Sequence, residues 1–221
     1  METKTFLEGV LASDGCYCVV ALRPHTDPVQ KFYASIEEAV HAAQELDAKG
    51  YDAYFALATF EEPNSRKVAN VKYLKALFLD LDCGPSKDYA NQGDAIAALR
   101  KFCKELSLPK PTIVNSGRGV HAYWALSEQI PLDDWLPIAN RLKKLCADNN
   151  LLADPTVTAD AARILRVPTT HNHKDNPPRE VSFLGFDALK LVDFDAFSEL
   201  LGGGFIEPPK RFTGTNTSFI E

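Results

Sequence analysis

The sequence lacks any apolar run approaching the ~20 residues a membrane-spanning helix needs, and its first residues carry no signal-peptide pattern, so a membrane is not an expected partner. Cysteines are few and odd in number, five in all, without regularly spaced pairs. That excludes a disulfide framework, and no cysteine/histidine cluster suggests a zinc module. Cys16 and Cys18 stand in a C-x-C, but inside an apolar run that reads as strand. The expected compartment is a reducing cytoplasm. Basic charge is also short: 24 Lys and Arg against 30 Asp and Glu leave a net charge of −6. No global basic field draws the chain to nucleic acid, so binding to a template would rest on local patches. No G-x-x-x-x-G-K-[ST] loop occurs, which excludes a P-loop helicase domain from these 221 residues.

What is present is ordinary for a globular protein, 45% apolar and 24% charged. The run Tyr17 to Leu22 reads as a strand. Ser35 with Glu38 three residues on starts a helix that reaches Lys49 and stops at Gly50. A strand follows over Ala53 to Phe60. The basic stretch Ser65 to Lys75 reads as a solvated connector, with a template contact as the alternative. Ala76 to Leu81 has the continuous apolar pattern of a buried strand, and Gln92 to Leu106 that of a helix. Strands over Thr112 to Asn115 and Val120 to Leu126 are joined by Ser116-Gly117-Arg118-Gly119, a composition suited to a tight hairpin. A helix over Leu132 to Asn149, a strand over Arg179 to Leu184 and a short helix over Val192 to Leu201 complete the pattern. A β-α-β-β-α-β order from Ala76 to about Leu184 predicts an α+β fold with a ferredoxin-like, RNA-recognition-motif-like sheet. The expected organisation is one catalytic domain over residues 1–205. An N-terminal α/β accessory lobe would take about 1–62 and a motif-bearing core about 63–205, with a flexible tail over 206–221.

Three groups of residues carry chemistry. Asp80 and Asp82 stand at i and i+2 at the end of the buried run, so both carboxylates point to one face. Two like charges that close repel unless a cation lies between them, and hard oxygen ligands favour Mg²⁺ or Mn²⁺. The bland alternative is a strand end with two solvated acids. Ser116 to His121 offers glycine-rich backbone N–H groups, Arg118 and His121 to an anion; alternatively His121 is a hydrogen-bonded core residue. Asp154 and Asp160 precede Arg163 and Arg166, which at i and i+3 lie near one another on a helix or tight turn. Their forks suit triphosphate oxygens, or pair internally with Asp154 or Asp160. His171-Asn172-His173 superficially matches the histidine pair of rolling-circle nucleases. Its middle residue is not hydrophobic, and no tyrosine nucleophile stands nearby on a convincing helix.

In this order, Phe78-Leu79-Asp80-Leu81-Asp82, Ser116-Gly117-Arg118-Gly119-Val120-His121-Ala122-Tyr123-Trp124, and Ala153-Asp154 with Arg163-Ile164-Leu165-Arg166-Val167-Pro168 resemble the three motifs of the archaeo-eukaryotic primase superfamily. The similarity spans roughly Ala76 to Lys174. The R-x-x-R-x-P element is most similar to the phage and plasmid primase-polymerase branch, where glycine often follows the proline; Thr169 stands here. The resemblance implies a DNA primase or DNA polymerase that adds nucleotides to a 3′-hydroxyl with two divalent metals. Asp80, Asp82 and Asp154 would hold the metals, and Ser116, Arg118, His121, Arg163 and Arg166 would bind the incoming nucleotide. Its partners would be a single-stranded DNA template, nucleoside triphosphates and a replicative helicase, separate or fused. The setting implied is the cytoplasm of a bacterial host.

Two rivals remain at this level. Leu79-Asp80-Leu81-Asp82 also resembles the opening motif of haloacid-dehalogenase-like phosphatases, with Asp80 as nucleophile. That family expects threonine or valine where Gly84 stands, and a later acidic pair for which only Asp133-Asp134 qualifies, at an apparent helix start. A non-catalytic nucleic-acid-binding module would instead use Tyr123 and Trp124 as exposed aromatics.

Overall fold

The computed structural model describes residues 1–185 and 189–202. The tail expected over 206–221, and Gly203 and Gly204, lie outside them. The chain begins with helix α1 (Thr3–Val10), strands β1 (Tyr17–Leu22) and β2 (Val29–Tyr33), and helix α2 (Ile36–Ala48). Ser35 starts α2 with a reciprocal box: its hydroxyl accepts from the Glu38 amide at 3.2 Å, and the Glu38 carboxylate accepts from the Ser35 amide at 3.3 Å. Then come β3 (Asp52–Ala56), β4 (Ala58–Phe60), β5 (Val71–Leu81), α3 (Gln92–Glu105), β6 (Thr112–Asn115), β7 (Val120–Pro131) and α4 (Leu132–Asp148). Short strands follow: β8 (Ile164–Arg166), β9 (His171–Asn172), β10 (Arg179–Glu180), β11 (Ser182–Leu184) and β12 (Leu191–Val192), before α5 (Phe194–Leu200).

The larger sheet has the order β11-β6-β7-β5-β4, with β12 parallel to part of β7. A second sheet, β2-β1-β3-β8, is antiparallel throughout. β9 and β10 pair separately. The fold is mixed α and β, but its strand order departs from the ferredoxin-like arrangement, which sets the fourth strand beside the first. Here β4 already occupies the outer edge of β5, and β11 pairs with β6 at the other edge.

Two expected strands are each split in two. Ala53 to Phe60 breaks at Leu57, whose amide donates to the Arg163 carbonyl at 3.0 Å, so β3 stays in the smaller sheet and β4 crosses to the larger. Arg179 to Leu184 breaks at Val181, whose amide donates to the Thr170 carbonyl at 2.8 Å. The basic stretch is also not a free connector. Arg66 donates to the Ala162 carbonyl, Lys72 pairs with Asp14 and Glu61, and Lys75, already within β5, donates to the Glu8 carbonyl.

Burial explains what fixes the site's floor. Leu77, Phe78 and Leu79 of β5 are fully buried. Phe6 of α1 meets Phe55 of β3, Tyr123 of β7 and Phe183 of β11 edge-on, at centroid distances of 6.1, 5.0 and 5.3 Å. One helix thus ties both sheets together through apolar burial, about 1.5–3 kcal/mol for a side chain of this kind. Trp124, facing opposite to Tyr123, packs on Phe197 of α5. No helix among the described residues is long and apolar enough to cross a membrane.

Candidate active site

The antiparallel register of β5 and β7 sets Asp80 directly across from His121, so their side chains share a face. Asp80 caps a run of fully buried residues, and its own side chain is only 21% exposed. Burial, then the negative charges of Asp82 and Asp154, push its carboxyl up to about 7, against the opposing pull of Arg163 and Lys87. Asp82 lies just past β5, more exposed, and its Oδ2 is held 2.6 Å from the Lys87 ammonium. Asp154 arrives on the loop after α4. Its amide donates to the Asp80 carbonyl at 2.8 Å, and its Oδ1 accepts from the Thr156 amide and hydroxyl, both at 2.8 Å. The three carboxylates therefore gather at one end of the larger sheet. Their oxygens are not all drawn to within 4.8 Å of one another.

His121 is buried, and burial first, then the Arg166 charge, drive its pKa down to about 3. It is a neutral imidazole. Its Nδ1 lies 3.2 Å from the Tyr123 hydroxyl and its Nε2 3.8 Å from Asp80 Oδ1, so the Asp80 contact is not an ion pair.

The hairpin between β6 and β7 is built for close approach. A Cβ on Gly119 would stand 2.6 Å from the Leu81 carbonyl oxygen, and Gly117 has φ +88°. Three of its amides are already used: Ser116 donates to the Gly119 carbonyl, Gly117 to Asn115 Oδ1 and Gly119 to the Ser116 hydroxyl. Ser116 therefore holds the turn, and its carbonyl accepts from the buried Asn172 side chain. Gln92 at the start of α3 donates to Asn115 and to the Gly119 carbonyl.

Arg163 and Arg166 do not lie on a helix. They precede and end β8, and each has an internal partner. Arg163 sits 3.3 Å from Asp160 and donates to the Thr156 carbonyl at 2.6 Å. Arg166 forks onto both oxygens of Asp52 at 2.8 and 3.2 Å and stacks over Tyr54. Burial alone would raise the Asp52 carboxyl, but the hydrogen bonds from Arg166 and the His173 amide hold it below the usual carboxylate range. Arg118 forks onto Asp175 at 3.0 and 2.7 Å. The sequence pointed to the arginines but missed Asp52 and Asp175, which lie 114 and 57 residues from their partners. Lys87 had a local cue, five residues after Asp82 in Asp82-Cys83-Gly84-Pro85-Ser86-Lys87.

This geometry disfavours both rivals. Tyr123 and Trp124 are buried, so the sheet offers no stacking platform through them. Asp133 and Asp134 lie in the first turn of α4, where acids suit the helix dipole, with no side-chain cap bond. Pro131, before that turn, pairs with Tyr73, seven residues along β5 from Asp80. The acidic pair therefore follows the end of β7 that lies opposite the far end of β5 from Asp80.

No family model matches the chain. A replication protein of Clostridium perfringens is 34% identical over 59% of this chain, which spans 32% of that relative's length. Among solved structures, the primase-polymerase domain of cyanophage S-2L superposes with a TM-score of 0.62 at 15% identity, over 85% of this chain and 89% of that one. The catalytic domain of the primase RepB′ in complex with initiator DNA gives 0.58 at 16% identity, over 90% and 88%. The polymerase domain of ligase D from Mycobacterium tuberculosis in complex with DNA gives 0.52 at 16% identity, over 90% and 85%. The resemblance read from the three motifs is borne out at the level of the fold.

Proposed function

The chain has a fold of the primase-polymerase type, and from it we infer a metal-dependent, template-directed nucleotidyltransferase acting in DNA replication. The observation that carries the reading is the gathering of Asp80, Asp82 and Asp154 at one sheet end, with Asp80 pushed up to about 7 by burial and its two acidic neighbours. All-oxygen donors with surplus negative charge fit Mg²⁺ or Mn²⁺, which Asp80, Asp82 and Asp154 would hold. Bound there, divalent ions would supply charge to activate a 3′-hydroxyl and to offset the charge of leaving pyrophosphate. The chain's own residues do the rest. Neutral His121 presents an N–H beside Asp80. Arg118 and Arg163, partly exposed, exchange carboxylate partners for triphosphate oxygens. Arg166 is clamped on Asp52 and acts by its field, which helps keep His121 neutral. Ser116 fixes the hairpin that carries Arg118 and whose Gly119 closes against Asp82. Single-stranded DNA and nucleoside triphosphates are the substrates of this reading, and a replicative helicase is its natural partner.

Primer extension on a single-stranded template with Mn²⁺ or Mg²⁺ tests it, alongside an Asp80→Ala/Asp82→Ala double variant. Metal-dependent incorporation by the wild type and none by the variant is the expected result. Equal incorporation by both, or none by the wild type, removes the assignment. Omitting the primer then tests whether chains are started as well as extended.

A further inference from the structure

A second set of metal-ligating side chains converges away from the three carboxylates. His171 Nδ1 lies 2.9 Å from one oxygen of Asp47, and His173 Nε2 lies 2.9 Å from the other. The three donor atoms lie within 4.8 Å of one another, and no other trio of His, Cys, Asp and Glu among the described residues does so. Local structure explains the convergence. His171 lies on β9 and His173 in the turn just after it; both reach Asp47, while Asn172 between them is buried and bonded to the Ser116 carbonyl. Asp47 sits in the last turn of α2, which contains no basic residue. A carboxylate there meets the negative end of the helix dipole, so a cation compensates both. The set is enclosed on one side only: the side chains of Asp47 and His173 are 13% and 20% exposed, that of His171 47%.

We propose that Asp47, His171 and His173 form a separate, structural metal centre for a borderline divalent ion such as Zn²⁺, with water at the open position. Two imidazole nitrogens and one carboxylate oxygen are donors that Zn²⁺ accepts and Mg²⁺ avoids. Tetrahedral ligands at zinc–nitrogen and zinc–oxygen distances of about 2.0–2.1 Å lie about 3.3 Å apart. The 2.9 Å contact to whichever Asp47 oxygen ligates opens by only a few tenths of an ångström, and the other imidazole nitrogen, within 4.8 Å of the set, closes onto the same ion. Each imidazole then carries its proton on the nitrogen facing away from the ion. The His173 amide also donates to Asp52, the partner of Arg166, at 2.7 Å, and Asp175 two residues on clamps Arg118. An ion at this centre would tie the segment bracing both arginines to α2 across 124 residues of chain, a closure that stabilises the folded state.

Zinc titration by calorimetry, repeated with Co²⁺ followed by visible absorption, tests this on the full chain. Wild type binds one equivalent with the intense absorption of four-coordinate cobalt. Its thermal midpoint rises by about 5 °C or more at zinc about a hundredfold above Kd. The Asp80→Ala/Asp82→Ala variant keeps this binding, while His171→Ala and Asp47→Asn each weaken it by at least about tenfold. The His171 side chain is half exposed, so its loss spares the fold, which circular dichroism verifies. No zinc on the wild type, zinc that survives both ligand substitutions, or zinc lost with Asp80 and Asp82 overturns the second centre. None of these outcomes depends on nucleotide incorporation, so this centre and the polymerase reading fail separately.

Discussion

The acidic and the basic halves of the candidate site are balanced in opposite ways. On the acidic side Asp80 faces Asp82 and Asp154 across a buried strand end, and its carboxyl is driven up to about 7 by burial and those neighbours. Among the described residues the Lys87 ion pair meets that charge directly at Asp82, and Arg163 opposes it at longer range at Asp80. On the basic side each arginine singled out from the sequence already has a carboxylate: Arg118 has Asp175, Arg163 has Asp160 and Arg166 has Asp52. Unmet charge beside a buried strand is costly to folding and is explained by a ligand the fold expects. Matched charge is explained by the fold itself. The acidic half therefore reads as the place where an ion binds, and the basic half as scaffolding that also sets the field.

The sharpest way to break that contrast is Asp52→Ala. It leaves the Arg166 guanidinium buried without its partner, which costs about 3–5 kcal/mol in a buried pair. Urea unfolding should show that loss. A cost below about 1 kcal/mol would mean that water or another acid takes over, and the basic half would not be scaffolding.

Asp80→Asn should do the reverse. Incorporation falls by at least on the order of 100-fold, since a direct ligand matters at least as much as an outer-shell partner. Stability holds or rises, because a destabilised carboxylate is gone. The sign follows from linkage. Folded Asp80 keeps its proton up to about 7, whereas unfolded Asp releases it near ~3.9. In chelator, its ionisation therefore costs the wild type stability progressively from about pH 4 to about pH 7, and the cost is absent below that window. Asp52 has a lowered carboxyl and behaves oppositely: its support is present above ~3.9 and is lost as pH falls through its folded value. Buried His121, pushed down to about 3, gives a stability slope of opposite sign over much of the same window, so the wild-type minus Asn difference isolates Asp80, and that difference should fall between about pH 4 and 7. A flat difference would place the carboxylate's strain elsewhere.

Legibility in the sequence follows the range of the forces involved. The α2 box at Ser35 and Glu38, the buried run before Asp80 and the Gly117/Gly119 hairpin are local, and each stands where its residues imply. Breaks at Leu57 and Val181 were invisible, because an apolar run reads alike whether it stays in one sheet or changes sheets. Sheet order was equally hidden, since nothing near Ala58 says that it will occupy the free edge of β5. The same holds for the site. Asp80 and Asp82 follow from strand geometry, but the partners of Arg118 and Arg166 come from far along the chain. The spacing of Arg163 and Arg166 suggested neighbours on a helix or tight turn; instead Arg166 pairs with Tyr54 across two strands.

Thr169 gives the smallest effect and the finest probe of the basic half. Thr169 has φ +65°, a conformation that glycine adopts freely and a β-branched residue at a cost of about 1–2 kcal/mol. The residue is kept there by its own contacts. Its amide donates to the Val181 carbonyl at 2.6 Å, and its hydroxyl lies 2.6 Å from that of Thr3 at the start of α1. Thr169→Gly relieves the strain, removes a hydrogen bond worth about 1 kcal/mol, and adds chain entropy to the unfolded state of roughly 0.5–1 kcal/mol. These terms oppose one another, so the net change should stay within about 1 kcal/mol, read from denaturant midpoints at constant slope. A loss beyond about 2 kcal/mol would mean that the Thr3 contact, rather than the backbone turn, anchors α1 to the strand carrying Arg166.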